Sequence, residues 1–180
     1  MNRSGLAVVL LGIGVIGGSA RAQTSVEQLV GPGVRLMVDR DVVSGHVNGG
    51  AYAVQVESGN AHGRGPLGAI DLRLRKLAQG YGVDGTWNGE PVTFVVTADS
   101  IRGSADRPVS DQDRSVERCR YDVETVHGRA AWSGREDCLE VTRPVRFDFR
   151  PRSSTSLDDE RTAVMLIAYL VAPPVYTPRR

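Results

Sequence analysis

Residues 44–65, Ser-Gly-His-Val-Asn-Gly-Gly-Ala-Tyr-Ala-Val-Gln-Val-Glu-Ser-Gly-Asn-Ala-His-Gly-Arg-Gly, align without a gap on residues 84–105, forty positions downstream. Gly45 meets Gly85, Asn48 meets Asn88, Gly49 meets Gly89, Val56 meets Val96 and Gly63 meets Gly103. Where identity is lost, position type is kept: Val47 faces Trp87, Tyr52 faces Val92, Val54 faces Phe94 and Ala61 faces Ile101. Asn-Gly between two alternating apolar runs signals a two-residue hairpin, because a type I′ turn needs positive φ at both central residues. The repeated unit is therefore a hairpin followed by a further strand.

Outward from the repeat, Ile70-Asp71-Leu72-Arg73-Leu74-Arg75 alternates with one apolar and one charged face, the pattern of a half-buried strand. Gln79-Gly80 turns the chain, and Tyr81, Val83, Gly85 and Trp87 share a face. A glycine in that row predicts a bend or a close backbone approach. Val34 to Gly103 reads as one meander and Gly103 to Val116 as an exposed polar loop. Alternation returns around Cys119, Tyr121 and Val123, then at Ala130–Trp132, and then from Leu139 to Phe149, where Pro144 indicates an edge position or a break. Arg73, Arg75, Arg118, Arg120, Arg146, Arg150 and Arg152 belong to solvated strand faces, since 21 of the 22 basic residues are arginine and the residue type itself carries little signal.

The last segment differs. Ser156 precedes Leu157-Asp158-Asp159-Glu160, a cap side chain followed by acidic residues where a helix dipole favours them, and Ala163–Ala172 is apolar throughout. A helix over about 157–171, stopped by Pro173-Pro174, must be covered on most sides. The expectation is an all-β domain of about seven to nine antiparallel strands, a barrel or sandwich, with one C-terminal helix packed on the sheet or plugging one end.

Residues 1–22 read as a cleaved secretory signal: Arg3 in the n-region, an apolar run from Leu6 to Gly18, and Ala20-Arg21-Ala22 before the cut. About 13 apolar residues fall short of the roughly 20 needed to span a bilayer, so stable membrane insertion is not expected. The mature part, 23–180, is a single domain placed in the periplasm or medium. There Cys119 and Cys138 should form a disulfide, and a turn at Gly128-Arg129 would set them opposite each other. Loss of Arg3 and Arg21 with the signal takes the formal charge from +1 to slightly negative, without the basic excess of a nucleic-acid binder.

No motif selects a reaction. His46, His62 and His127 match no metal spacing, no Gly-x-Ser-x-Gly elbow occurs, and the glycines of 63–68 lack the Lys-Ser or Lys-Thr of a phosphate loop. No metal, cofactor or catalytic residue is assigned. The aromatic residues Tyr52, Trp87, Phe94 and Trp132 are the candidate lining of a ligand cavity inside a barrel. The leading expectation is non-enzymatic binding of a small apolar molecule or of an envelope or secreted protein. Alternatives are a carboxylate-based hydrolase or isomerase working in a barrel mouth, and a structural or assembly protein of the envelope.

Overall fold

A computed structural model describes residues 27–31, 33–108, 116–126, 131–139, 141–149 and 159–172. The strands are β1 (Glu27–Gly31), β2 (Val34–Asp39), β3 (Val42–Val47), β4 (Gly50–Glu57), β5 (Asn60–Gly65) and β6 (Gly68–Lys76). They continue as β7 (Tyr81–Trp87), β8 (Glu90–Val96), β9 (Ser100–Pro108), β10 (Val116–Thr125), β11 (Ala131–Cys138) and β12 (Val141–Asp148), followed by one helix, α1 (Glu160–Val171). Each strand pairs antiparallel with its sequence neighbour in a single 12-stranded sheet. The first and last strands approach each other, giving a nearly closed up-and-down barrel.

Among the described residues twelve strands stand where seven to nine were expected. β1 precedes the expected start of the meander at Val34, and β2 and β3 are joined by Arg40-Asp41, a tight turn whose residues give a weak signal; β4 and β5 are joined by Ser58-Gly59, and Arg40 and Ser58 both have positive φ. Asn48-Gly49 and Asn88-Gly89 are two-residue turns with both residues at positive φ, as the repeat predicts. The polar stretch from Gly103 is not a loop along its whole length, because β9 runs to Pro108 paired with Val116 of β10. Pro144 sits in the terminal strand β12, opposite Arg135, where a missing backbone donor is tolerated.

Four glycines of the repeat share one structural task with Gly134. Gly45, Gly63, Gly85, Gly103 and Gly134 lie on β3, β5, β7, β9 and β11. A Cβ on any of them would fall 2.0–2.2 Å from a carbonyl oxygen of the preceding strand, that of Arg35, Ala53, Asp71, Thr93 and Asp122 in turn. Alternate strands thus carry a position where the neighbouring backbone takes the space of a side chain, which tightens the coil of the sheet. Each copy of the repeat holds two such glycine strands, β3 and β5 in the first and β7 and β9 in the second.

Inside the sheet lies the helix. Thr162 to Ala168 are buried without interruption, and seven consecutive residues cover every direction around a helix axis. Twelve strands at about 4.8 Å spacing and ~40° tilt make a ring about 24 Å across, and a helix of 10–12 Å leaves roughly 6 Å on each side, one layer of side chains. Leu29, Leu36, Val43, Val54, Leu72, Val83, Phe94 and Val123 supply that layer.

The helix begins at Glu160, and its cap is Asp159, whose carboxylate accepts from the Arg161 backbone N–H at 2.9 Å. The expected cap Ser156 and the expected start at 157 lie outside the described residues. Glu160 Oε2 accepts from Gly59 N at 3.1 Å, and the Arg161 guanidinium reaches the Arg40 carbonyl and Asp41. The helix start is therefore fastened to the turns β2–β3 and β4–β5. That rim is the helix end of the barrel, and the rim bearing Asn48-Gly49 and Asn88-Gly89 is its Asn-Gly end.

Candidate functional site

The four aromatic candidates are all interior, each at most 3 % exposed, but they do not form one surface. Trp132 stacks on Phe147 at 5.8 Å between centroids, and Phe147 in turn meets Tyr169 of α1 at 4.6 Å, so this group binds helix to sheet. Phe94 packs on Tyr121 at 5.6 Å. Only Tyr52 and Trp87 come together, at 5.8 Å, under the Asn-Gly end.

Two strands separate Tyr52 on β4 from Trp87 on β7, and the rings can meet because β5 and β6 join there through Gly65 and Gly68. A Cβ on Gly65 would fall 2.7 Å from Tyr52 Cε1 and 2.6 Å from Asn88 Oδ1. Tyr52 Oη, Trp87 Nε1 and Asn88 Oδ1 are buried within this group. Burial raises the Tyr52 phenol above its usual value, and hydrogen bonding from the Trp87 and Asn88 side chains acts in the opposite sense.

A second polar group lies on β9–β11 at the same end. Arg107 donates from Nε to Glu117 at 2.9 Å, from Nη1 to Glu136 at 2.6 Å and from Nη2 to Cys138 Sγ at 3.2 Å. Tyr121 donates its hydroxyl to the same Glu136 oxygen at 3.0 Å, and its phenol is pushed far up, first by burial and then by the Glu136 charge. Cys119 and Cys138 stand opposite each other in register and form the expected disulfide. Arg143, opposite Glu136 on β12, has a buried Nη1 without a partner.

Sequence reasoning missed Arg107, Glu117 and Glu136. Arg107 fell in the stretch read as a loop. A usable signal exists for the other two, since each glutamate stands two residues before a cysteine, and alternation puts residues two apart on one strand face. Chemically the group is a satisfied ion network: both carboxylates accept from one guanidinium, and Glu136 takes the tyrosine hydroxyl as well. His46 and His62 are exposed, with His62 Nδ1 3.1 Å from Asp71. His127 lies outside the described residues. Among those residues, Glu117, Cys119 and Cys138 are grouped closely enough to hold an ion, but both sulfurs are in the disulfide and the Arg107 guanidinium occupies the space beside them.

The outer surface is polar along the strands, with cross-strand pairs such as Arg102–Asp122 at 3.0 Å and Arg118–Asp106 at 2.6 Å. Among the described residues its exposed large apolar side chains are Val30, Leu67, Leu77, Val95, Val116, Leu139 and Val141. Five of them, all but Leu77 and Val95, sit in or next to the turns of the Asn-Gly end, and Leu139 there is 80 % exposed. No family model matches the sequence, and no curated protein or solved structure matches it.

Proposed function

We propose that the protein is an exported, non-enzymatic binding module that docks an envelope or secreted protein through the Asn-Gly end of its barrel. The observation that carries this is the gathering of Val30, Leu67, Val116, Leu139 and Val141 on that rim while the walls are charged. Exposed apolar groups collected in one place, with a polar surround, are the usual mark of an interaction site. The alternating pattern supports a water-facing wall, since a lipid-facing barrel turns its apolar side chains outward and its polar ones inward, and here Ile70, Leu72 and Leu74 point in while Asp71, Arg73 and Arg75 point out. The disulfide supports an oxidising compartment.

The carrier alternative would need a guest to share the barrel with α1. The hydrolase alternative finds the carboxylates of Glu117 and Glu136 already bound to Arg107. The deciding experiment is quantitative cross-linking in the native exported fraction. Leu139→Asp and Leu67→Asp at the Asn-Gly end should lose the cross-linked partner, while Leu77→Asp at the helix end should keep it. Equal capture by all three variants, each folded by circular dichroism, would refute the docking face, and a concentration-dependent sedimentation coefficient of the purified chain would assign the rim to self-assembly.

A further inference from the structure

We propose that the Cys119–Cys138 bridge is a redox-operated clasp on the docking rim, opened by an external dithiol, the oxidised form docking and the reduced form not. Its consequence rests on the docking reading, its chemistry does not. Cys119 and Cys138 are the last pair of the β10–β11 ladder, which runs from them to Thr125 and Trp132. Beyond the bridge, among the described residues, 116–118 pair only with β9, and Cys138 pairs with Val141 across the β11–β12 turn. Val116, Leu139 and Val141, three of the exposed apolar side chains of the rim, each lie within three residues of a bridged cysteine. The ends of a ladder open far more readily than its middle. Cutting the bridge therefore frees this corner while the rest of the ladder stays closed.

The surroundings set how the bridge opens. Cys119 is fully buried and Cys138 retains 8 % exposure, so an incoming thiolate meets Cys138. It attacks Cys138 Sγ, forms a mixed disulfide there and expels the Cys119 sulfur, which takes a proton from water. The second thiol of the reductant, having given its proton to water, attacks its own partner sulfur and expels Cys138 as a thiolate. Two electrons pass to the bridge, and the dithiol ends as a disulfide. The sulfur that leaves in this second step accepts from Arg107 Nη2 at 3.2 Å, and a guanidinium beside a sulfur favours its thiolate. Glu117 and Glu136 also accept from Arg107, and Arg143 stands opposite Glu136, so two guanidinium groups balance two carboxylates around the bridge.

The test reads free thiols and amide hydrogen exchange in the folded, oxidised protein. Millimolar dithiothreitol without denaturant should make both cysteines available to iodoacetamide while far-ultraviolet circular dichroism stays native. In single variants, the Cys138 thiol of Cys119→Ser should react with an aromatic disulfide reagent about tenfold faster than the Cys119 thiol of Cys138→Ser. Reduction should speed exchange about tenfold at 116–119, Leu139 and Val141 and leave Asn88-Gly89 unchanged. A bridge that resists dithiothreitol until the chain unfolds would overturn the proposal, as would native reduction without faster exchange at that corner. Where the oxidised protein captures a cross-linked partner, the reduced one should capture at least fivefold less, and equal capture would overturn the gating. Capture by neither form would refute the docking reading and with it the gating, a result distinct from failure of the clasp itself.

Discussion

Replacing Gly103 by alanine should be among the most damaging single-methyl changes in this protein. The added Cβ would stand 2.2 Å from the Thr93 carbonyl oxygen and 2.8 Å from Phe94 Cα, both backbone atoms, and 2.5 Å from Phe94 Cδ1. Relief needs the Thr93 carbonyl to retreat by about 1 Å, the difference from a tight contact of roughly 3.2 Å, and a strand held in the β8–β9 ladder on one side and the β7–β8 ladder on the other cannot do so alone. Overpacking of this kind costs about 1–3 kcal/mol, and weakening two ladder hydrogen bonds adds about 1 kcal/mol each, for a loss of about 3–5 kcal/mol. Gly89→Ala is the matched control. Its Cβ meets nothing within 4 Å, so only the φ of +89° is penalised, at about 1–2 kcal/mol. For a domain of this size 1 kcal/mol moves Tm by about 2–4 °C. Thermal unfolding followed by far-ultraviolet circular dichroism, with the disulfide intact, should therefore show a fall of about 10 °C for Gly103→Ala and about 4 °C for Gly89→Ala. Equal losses, or a neutral Gly103→Ala, would refute the reasoning that strand backbones close into the glycine positions.

Three further expectations concern charge and covalent closure. Removing the bridge in Cys119→Ser/Cys138→Ser, a separation of 19 residues, should lower unfolding free energy by about 3 kcal/mol in urea titration; an unchanged midpoint at unchanged slope would show that the hairpin holds without it. The Tyr121 phenol is raised by burial and by Glu136, so the unfolded chain ionises near its ordinary 10.0 while the folded one stays neutral; stability is complete below that value and should fall above pH 10 at up to about 1.4 kcal/mol per pH unit, with a shallower fall in Tyr121→Phe. The Asp106 carboxyl is held below its ordinary 3.8 by the hydrogen bond from Arg118. Its contribution is present above 3.8 and disappears as pH drops through the depressed folded value, so wild type and Asp106→Asn should differ at pH 6 and converge towards pH 2 in denaturant midpoints.

The repeat at 44–65 and 84–105 was enough to read hairpins, because a type I′ turn and a strand alternation are both local requirements met by a few adjacent residues. The number of strands was not legible, since Arg40-Asp41 turns the chain without a turn-typical sequence, the register of neighbouring strands supplying what local preference does not. The same division runs through the candidate sites. Cys119 and Cys138 could be paired from spacing because a hairpin maps sequence symmetrically onto space. Tyr52 and Trp87, 35 positions apart, could be named as aromatic but not as neighbours, because their contact depends on Gly65 and Gly68 leaving two intervening strands bare.

By itself the sequence determined the fold class, the two Asn-Gly turns, the disulfide and the terminal helix, each a property of residues close together or symmetric about one turn. Only the tertiary structure decided that twelve strands wrap the helix, that Arg107 sits between Glu117 and Glu136, and that exposed apolar side chains from five strands and turns share one rim. These depend on how far the sheet curls before its first and last strands meet. That curl is a sum over all the strand pairs, and each glycine contributes a local bend that no single stretch of sequence adds up.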